Sequence, residues 1–348
     1  MGRTNPSLGQ QPQAHRKKAR AKYAKTTINK TIPAMLISDT RARNGVENAT
    51  LVADPPPADK QPGDKDSFLH EPRFSLQVTD SITAALSAFE ESGSGQQYPS
   101  RNRVGILNMA SPLRPGGGVL NGATSQEEFL CVRTTLYPSL KESFYRLPEV
   151  GGVWTPDVLI FRSGDSPGID LEKGKRRHVG VLTAAMLRFP DLDDDGSGYA
   201  NAKDRGTAEA QMRAAMRIFQ AQHVDHVILG AWGCGAYGNP VKEIASLWRK
   251  VLRSGSRQEP WTGVKEVIFA IRDKSTAEEF GQCFGDGLVV SRQPEVSDEE
   301  GEEVDDPASM ELELKIADIK AQISNARTPL LRSGLEGILN SLERQAHG

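Results

Sequence analysis

Two stretches of this chain combine residue types that can hold an anion and move a proton. In the first, Gly116-Gly117-Gly118 is followed by Gln126-Glu127-Glu128 at the start of a helical pattern. Consecutive glycines adopt positive φ at little cost and let another molecule approach the backbone closely. Their N–H groups can then converge on phosphate oxygens, as nests and helix N-termini do. This is neither the dinucleotide fingerprint nor a Walker A loop, because GxGxxG spacing is absent and no Gly-Lys-Ser/Thr follows. In the second stretch, the apolar run Val227-Ile228-Leu229 leads through Gly230 into Gly233-Cys234-Gly235-Ala236-Tyr237-Gly238. A helix then starts near Pro240, a residue type favoured at the first helical position. A solvated helix start would by itself account for Glu127 and Glu128, since acids there favour the dipole. Two glycine-rich loops at two strand ends argue for more, because ligands in open α/β sheets bind beyond the carboxyl ends of strands. Together they predict one site in which both loops face a diphosphate.

The elements that must position these loops are short apolar strands alternating with helices. Strands are expected at Ser75–Thr79, Val104–Asn108, Val158–Phe161, His178–Leu182, His226–Ala231 and Glu266–Ile271. Helices are expected over 126–143, 206–223 and 240–253, with a basic helix from His15 to Lys30 at the N-terminal side. That basic face could bind a polyanion, although a solvated face is the commoner outcome. Alternation of this kind implies a layered α/β domain with a mostly parallel sheet.

Composition sets the frame. The chain has 348 residues and a formal net charge of −2, so no global charge recruits nucleic acid or an anionic membrane. Any anionic ligand must be held locally. Glycine (33) and proline (21) are numerous enough to predict loop or disorder in part of the chain. The cysteines Cys131, Cys234 and Cys283 lie far apart, without metal or disulfide spacing, as in a reduced intracellular protein. No signal peptide is apparent, and no run approaches the roughly 18 apolar residues of a membrane span.

Several other features read as structural. Cys234 has no base tied to it by spacing and is expected to be a small buried thiol. His223 and His226 lack further metal-ligand spacing. Asp191, Asp193 and Asp195 with Gly196 imitate a calcium loop, but Ala202 stands where a bidentate Glu is needed. Trp232 and Trp248 are expected in the core. No metal site is predicted.

The run ILNMASPLRPGGGVLNGATSQEEFL resembles the signature of the microbial-type poly(ADP-ribose) glycohydrolases, a macrodomain family. Its hallmark is the glycine triplet, a short spacer (here Val119–Ser125) and Gln-Glu-Glu. The run LGAWGCGAYGNP resembles the family's second phosphate loop, and the likeness is clearest from about 74 to 285. The resemblance implies a macrodomain-like three-layer α/β/α fold. It also implies Glu128 as catalytic acid/base, Glu127 as the holder of ribose hydroxyls and Asn108 against the ribose beside the scissile bond. Gly116, Gly117 and Gly118 with Val119 and Gln126, and Gly233, Cys234, Gly235, Ala236, Tyr237 and Gly238, would line the diphosphate and distal ribose. Tyr237 stands where the family usually has phenylalanine. Asp80, in the order strand–Asp–helix, either faces the adenine edge or caps its helix.

The implied activity is hydrolysis of ribose–ribose bonds in poly(ADP-ribose), releasing ADP-ribose from chain ends in the context of DNA damage, with no cofactor. A non-catalytic ADP-ribose reader and a hydrolase of mono-ADP-ribosyl linkages are the alternatives. The expected partners are poly(ADP-ribose), ADP-ribose and ADP-ribosylated proteins, with no membrane and no sequence-specific nucleic acid. A monomer in the nucleus or cytoplasm is expected. The expected organisation is a flexible 1–13, a glycohydrolase domain over 14–290 with a disordered insertion at 53–67, an acidic linker at 291–308 and a helical tail at 309–348. Neighbouring helical residues project about 100° apart, so Glu127 and Glu128 are expected to divide their tasks. A raised pKa is expected at Glu128, from Glu127 and the substrate diphosphate.

Overall fold

The computed structural model of the chain describes residues 13–57, 72–91, 104–165, 168–254 and 261–291, with isolated helical positions at 332, 336 and 339. The expectations for 1–12, for most of the 53–67 insertion, and for the linker and tail beyond 291 fall outside the described residues.

The described chain begins with helix α1 (Gln13–Thr26), a π-helical turn at Thr27–Thr31, α2 (Ile32–Ser38) and α3 (Thr40–Glu47). It continues through strands β1 (Thr50–Ala53) and β2 (Arg73–Gln77), α4 (Ser81–Glu91), β3 (Val104–Met109) and α5 (Gln126–Cys131). Strands β4 (Gly151–Ile160) and β5 (Arg177–Ala184) follow, then α6 (Ala202–Ala221), β6 (His226–Leu229) and α7 (Val241–Ser254). Strand β7 (Glu266–Ala270), α8 (Lys274–Phe284) and β8 (Leu288–Ser291) complete it. All eight strands form one sheet, ordered β1-β4-β5-β3-β6-β7-β2-β8. The pairs from β5 through β3, β6, β7 and β2 to β8 are parallel, and β4 runs antiparallel between β1 and β5.

Alternation along the central strands divides the core between two faces. Leu107, Val227, Leu229, Val267 and Phe269 join one cluster with Met212, Phe219, Trp248 and Phe280 of α6, α7 and α8. Ile106, Ile228 and Ile268 point the other way, to Ala85 of α4 and Leu130 of α5. The result is the expected three-layer α/β/α arrangement with a mixed, mostly parallel sheet. Trp232 stacks on Trp248 at 6.2 Å between ring centroids, and both are buried.

Several boundaries differ from expectation for local reasons. The helix expected over 126–143 stops at Cys131. There Thr134 Oγ1 donates to the Leu130 carbonyl, and Thr135 Oγ1 accepts from the Leu159 N–H of β4, so these threonines draw the chain out of the helix. Strand β4 is longer than Val158–Phe161 because a register shift between Thr155 and Val158 accommodates Pro156, with Asp157 at φ 52°. Ala53, expected in the insertion, instead ends β1 paired with Gly151. Strand β2 stops at Gln77, short of Thr79, and β6 stops at Leu229, short of Ala231. The expected basic helix becomes α1 and the π-helical turn.

Candidate active site

The chain leaves β3 toward β4 and β5 on one side of the sheet, and leaves β6 toward β7 on the other. Since β3 and β6 are neighbours, their outgoing loops diverge and open a crevice, the switch point at which such sheets bind ligands. Pairing between the two strands ends at Ile106–Ile228, which leaves the far end of β3 without a backbone partner on that side. Gln126 fills the gap. Its Oε1 accepts from the Met109 N–H at 2.9 Å, and its Nε2 donates to the Leu107 carbonyl at 2.9 Å and to Ser81 Oγ at 3.0 Å. The side chain thus completes a ladder that a peptide would otherwise make. Gln126 in this way positions the start of α5, and it also lines the cavity between the two loops.

Helix α5 presents the acid pair. Glu127 is 2% and Glu128 6% exposed. Glu128 Oε1 accepts from the Gly118 N–H at 2.7 Å, and Oε2 takes the Ser125 hydroxyl. Glu127 Oε2 accepts from the Ser111 N–H at 2.8 Å. The glycine triplet folds around these carboxylates. Gly117 lies at φ 57°, and a Cβ on it would sit 2.6 Å from Glu128 Oε1 and 2.8 Å from Glu127 Oε2, so only glycine fits. Both carboxylates therefore converge on one point, despite the angular separation expected of adjacent helical residues. The Gly117 N–H donates to the Arg114 carbonyl and that of Gly118 to Glu128. These two amides hold the turn of the loop and Glu128, and so are already taken by protein acceptors where the resemblance implied a phosphate cradle. Val119 is buried in the core below them.

Burial pushes the Glu127 carboxyl up to about 8, aided by the charge of Glu128 and opposed chiefly by the hydrogen bond from the Ser111 N–H, with the polar groups of Gly116 and Asn108 nearby. The acid whose pKa the structure raises is Glu127. Glu127 is the more deeply enclosed of the two, and desolvation is the largest cause. Asn108, fully buried on β3, donates to Thr183 Oγ1 at 3.1 Å. Three buried polar atoms here have no partner among the described residues: Asn108 Oδ1, Glu127 Oε1 and the Tyr145 hydroxyl. Burial and then the charge of Glu127 raise the Tyr145 phenol well above its usual range. Tyr145 escapes sequence reading because no short-range pattern ties it to the motif.

The second loop supplies the donors. Among the described residues nothing accepts from the N–H groups of Gly235, Ala236 or Tyr237, which follow one another on the loop. Consecutive free amides are what an anion-binding nest requires. Gly233 (φ 80°) and Gly238 (φ 69°) turn the loop. Asn239 fastens it, donating to the Leu187 and Gly233 carbonyls at 2.8 and 3.1 Å and accepting from the Tyr199 hydroxyl at 2.8 Å. This clamp was also missed, although an Asn before the proline of a helix start is a local signal for it. The Cys234 thiol, pushed up to about 12 by burial, is no nucleophile near neutral pH. The Tyr237 hydroxyl donates to the Ala110 carbonyl at 3.4 Å, which joins the second loop to the first.

Between the loops and the ends of β2 and β7 lies a cavity of about 260 Å³, lined by Asp80, Phe129, Cys234, Gly235, Arg272 and Thr276 among others, and reaching Ser125 beside Glu128. Arg133 and Arg272 lie 4.0 and 5.6 Å from the Phe129 ring centroid. Asp80 lines this cavity while its carboxylate accepts from the Ile82 and Thr83 N–H groups and the Thr83 hydroxyl, so it caps α4. The aspartates at 193 and 195 accept loop amides of Gly198 and Ser197. No group of residues suited to a metal ion is found among the described residues, and none of their helices is long and apolar enough to cross a membrane.

Comparison with known proteins places the fold among solved structures. Poly(ADP-ribose) glycohydrolase (PARG) from Thermomonospora curvata is 21% identical, with a TM-score of 0.59, covering 77% of this chain and all of that one. The same enzyme bound to the inhibitor ADP-HPD is 22% identical with a TM-score of 0.53, covering 77% of this chain and 98% of that one. PARG from Deinococcus radiodurans in complex with ADP-ribose is 23% identical with a TM-score of 0.50, covering 69% of this chain and 94% of that one. These likenesses establish the shared macrodomain-like α/β fold. No curated protein matches the chain. The sequence model described as "Microbial-type PARG, catalytic domain" matches residues 28–163. The matched segment carries Asn108, the glycine triplet and the paired glutamates.

Proposed function

We propose that the chain is a poly(ADP-ribose) glycohydrolase that binds a terminal ADP-ribose unit and cleaves its ribose–ribose bond. The observation that carries the reading is the trio of unpartnered buried atoms, Asn108 Oδ1, Glu127 Oε1 and the Tyr145 hydroxyl, beside the acid pair. Buried polar atoms without partners are rare and call for an explanation. Ribose hydroxyls would satisfy all three. The adenosine then occupies the cavity beside Phe129 and Arg272, and the diphosphate lies on the amides of Gly235–Tyr237. The matching family is described as a PARG catalytic domain, and similar folds have been solved with ADP-ribose and with ADP-HPD, which supports the same ligand class here.

In this reading Glu128 is the catalytic acid and base, and Glu127, with Asn108 and Tyr145, holds the distal ribose. The bond from the distal ribose C1 to the 2′ oxygen of the adjoining unit breaks as Glu128 gives its proton to that oxygen. The oxocarbenium-like carbon is stabilised by the substrate's own diphosphate, bent close by the second loop. Water then adds to the carbon and returns its proton to Glu128. Gly117 and Gly118 keep the carboxylate aimed through the transfer. Cleavage proceeds from chain ends, the catalytic unit spans 14–290, and the polymer's modified proteins are the partners of a monomeric enzyme.

Product analysis on labelled polymer and on mono-ADP-ribosylated protein tests the reading. Release of ADP-ribose from polymer by the native chain and its loss in Glu128→Gln are expected. Binding without turnover would replace the enzyme with a reader, and release only from the mono-modified protein would replace the substrate.

A further inference from the structure

Strand order sets out the site as a line. The cavity lies over the ends of β2, β7 and β6, the acid pair over β3, and past it comes the end of β5. There Arg188 and Phe189 stand exposed at the rim. Phe189 is 68% exposed and sits at φ 51°, a left-handed conformation that a bulky residue seldom adopts. Its N–H donates to the Tyr237 carbonyl at 2.9 Å, which fixes it against the second loop. The Arg188 guanidinium lies 5.6 Å from the Phe189 ring centroid and 5.4 Å from that of Tyr237, and the two rings are 6.5 Å apart. Tyr237 in turn reaches the Ala110 carbonyl, one residue before the Ser111 amide that holds Glu127.

The proposed function gives this platform an occupant. With adenosine over β2 and β7 and the scissile bond over β3, the polymer can leave only past the acid, toward β5. The first group beyond the bond is the adenosine of the adjoining unit, since its ribose carries the leaving oxygen. An exposed aromatic ring held still, with a guanidinium beside it, is what a base and its diphosphate require. We propose that Phe189 and Arg188 form a subsite for the adjoining ADP-ribose unit, with adenine stacked on Phe189 and its diphosphate on Arg188. The subsite makes the enzyme prefer polymer over a ligand that ends at the distal ribose. It rests on the glycohydrolase reading above.

The test compares native chain, Phe189→Ala, Arg188→Gln and the conservative Phe189→Trp. Each is assayed for hydrolysis of an ADP-ribose oligomer and, by calorimetry, for binding of free ADP-ribose. Phe189→Ala is expected to lower kcat/KM on the oligomer about tenfold, as loss of one base–aromatic stack does. Phe189→Trp should retain it, and Arg188→Gln should weaken its dependence on salt. ADP-ribose affinity should stay within about twofold throughout, since that ligand ends before the platform. Unchanged oligomer hydrolysis in Phe189→Ala, or a parallel fall in ADP-ribose affinity, would overturn the subsite. Absence of hydrolysis by the native chain would instead defeat the functional reading.

Discussion

At the scale of residues, the two adjacent glutamates are distinguished by what surrounds them. Burial raises the Glu127 carboxyl from 4.5 to about 8, so between those values the folded chain binds more protons than the unfolded one. Stability contributed by the protonated acid is present at low pH and is lost as pH rises through that window. Thermal unfolding of the native chain should therefore move to lower temperature between about pH 5 and pH 8, a slope that Glu127→Gln should flatten. A native chain whose Tm is level across the window would exclude the shift. Turnover should separate the pair in another way. Glu128→Gln should cost roughly 10²–10⁴ in kcat, the usual contribution of a positioned acid/base, with ADP-ribose binding kept. Glu127→Gln and Tyr145→Phe should act mainly through KM, because the proposed function gives each a contact to ribose. Much of this site was legible in the sequence: the acid pair, Asn108 and both loops stand in two short runs. Tyr145 was not, because only the irregular chain between Cys131 and Gly151 brings it to Glu127. The roles of Gly117, Gly118 and Gln126 were legible in position but not in direction, since which partner an amide takes is set by tertiary contacts.

At the scale of elements, α1 is tied to the loop that leads from the glycine triplet to the acid pair, although it lies outside the matched family segment. Gly122, in the spacer between glycine triplet and acid pair, has φ 75°, and a Cβ on it would collide with the Lys17 carbonyl oxygen. Arg20 Nε donates to the Gly122 carbonyl at 2.9 Å. The helix therefore pins the loop that leads into Ser125 and Glu128. Gly122→Ala combines unfavourable φ with a backbone clash, and should cost about 1–3 kcal/mol in stability. A fall in kcat larger than that of Arg20→Ala should accompany it. Denaturant unfolding and single-turnover rates would measure both, and an unperturbed Gly122→Ala would show that α1 and the loop move independently. From the sequence, α1 reads as a basic helix, solvated or facing a polyanion, and its contact with Gly122 is hidden because that partner lies 102 residues away. The central strands were legible because apolar runs survive any tertiary context. Strand β1 and the first half of β4 were hidden by glycines, a proline and a bulge, which read as breakers.

At the scale of the molecule, the sheet ends on the strand that precedes the acidic segment. Strand β8 pairs with β2 in parallel, from Phe74–Leu288 to Gln77–Ser291, and Val289 and Val290 are largely exposed on it. Removing the chain beyond Arg292 leaves this strand and every residue of the site in place. Turnover on polymer and Tm should then match the full chain, within about twofold and about 2 °C, if the remaining segment is accessory. Cutting earlier, after Gly287, removes β8 and uncovers the edge of β2, whose residues Phe74–Gln77 are all buried. An unpaired buried strand is a template for association with other chains, so this shorter chain should aggregate or lose Tm markedly. Light scattering and turnover on the two truncations place the end of the catalytic unit. Loss of activity in both would move that end beyond Arg292 and make the C-terminal segment part of the fold, while survival of both would make β8 dispensable.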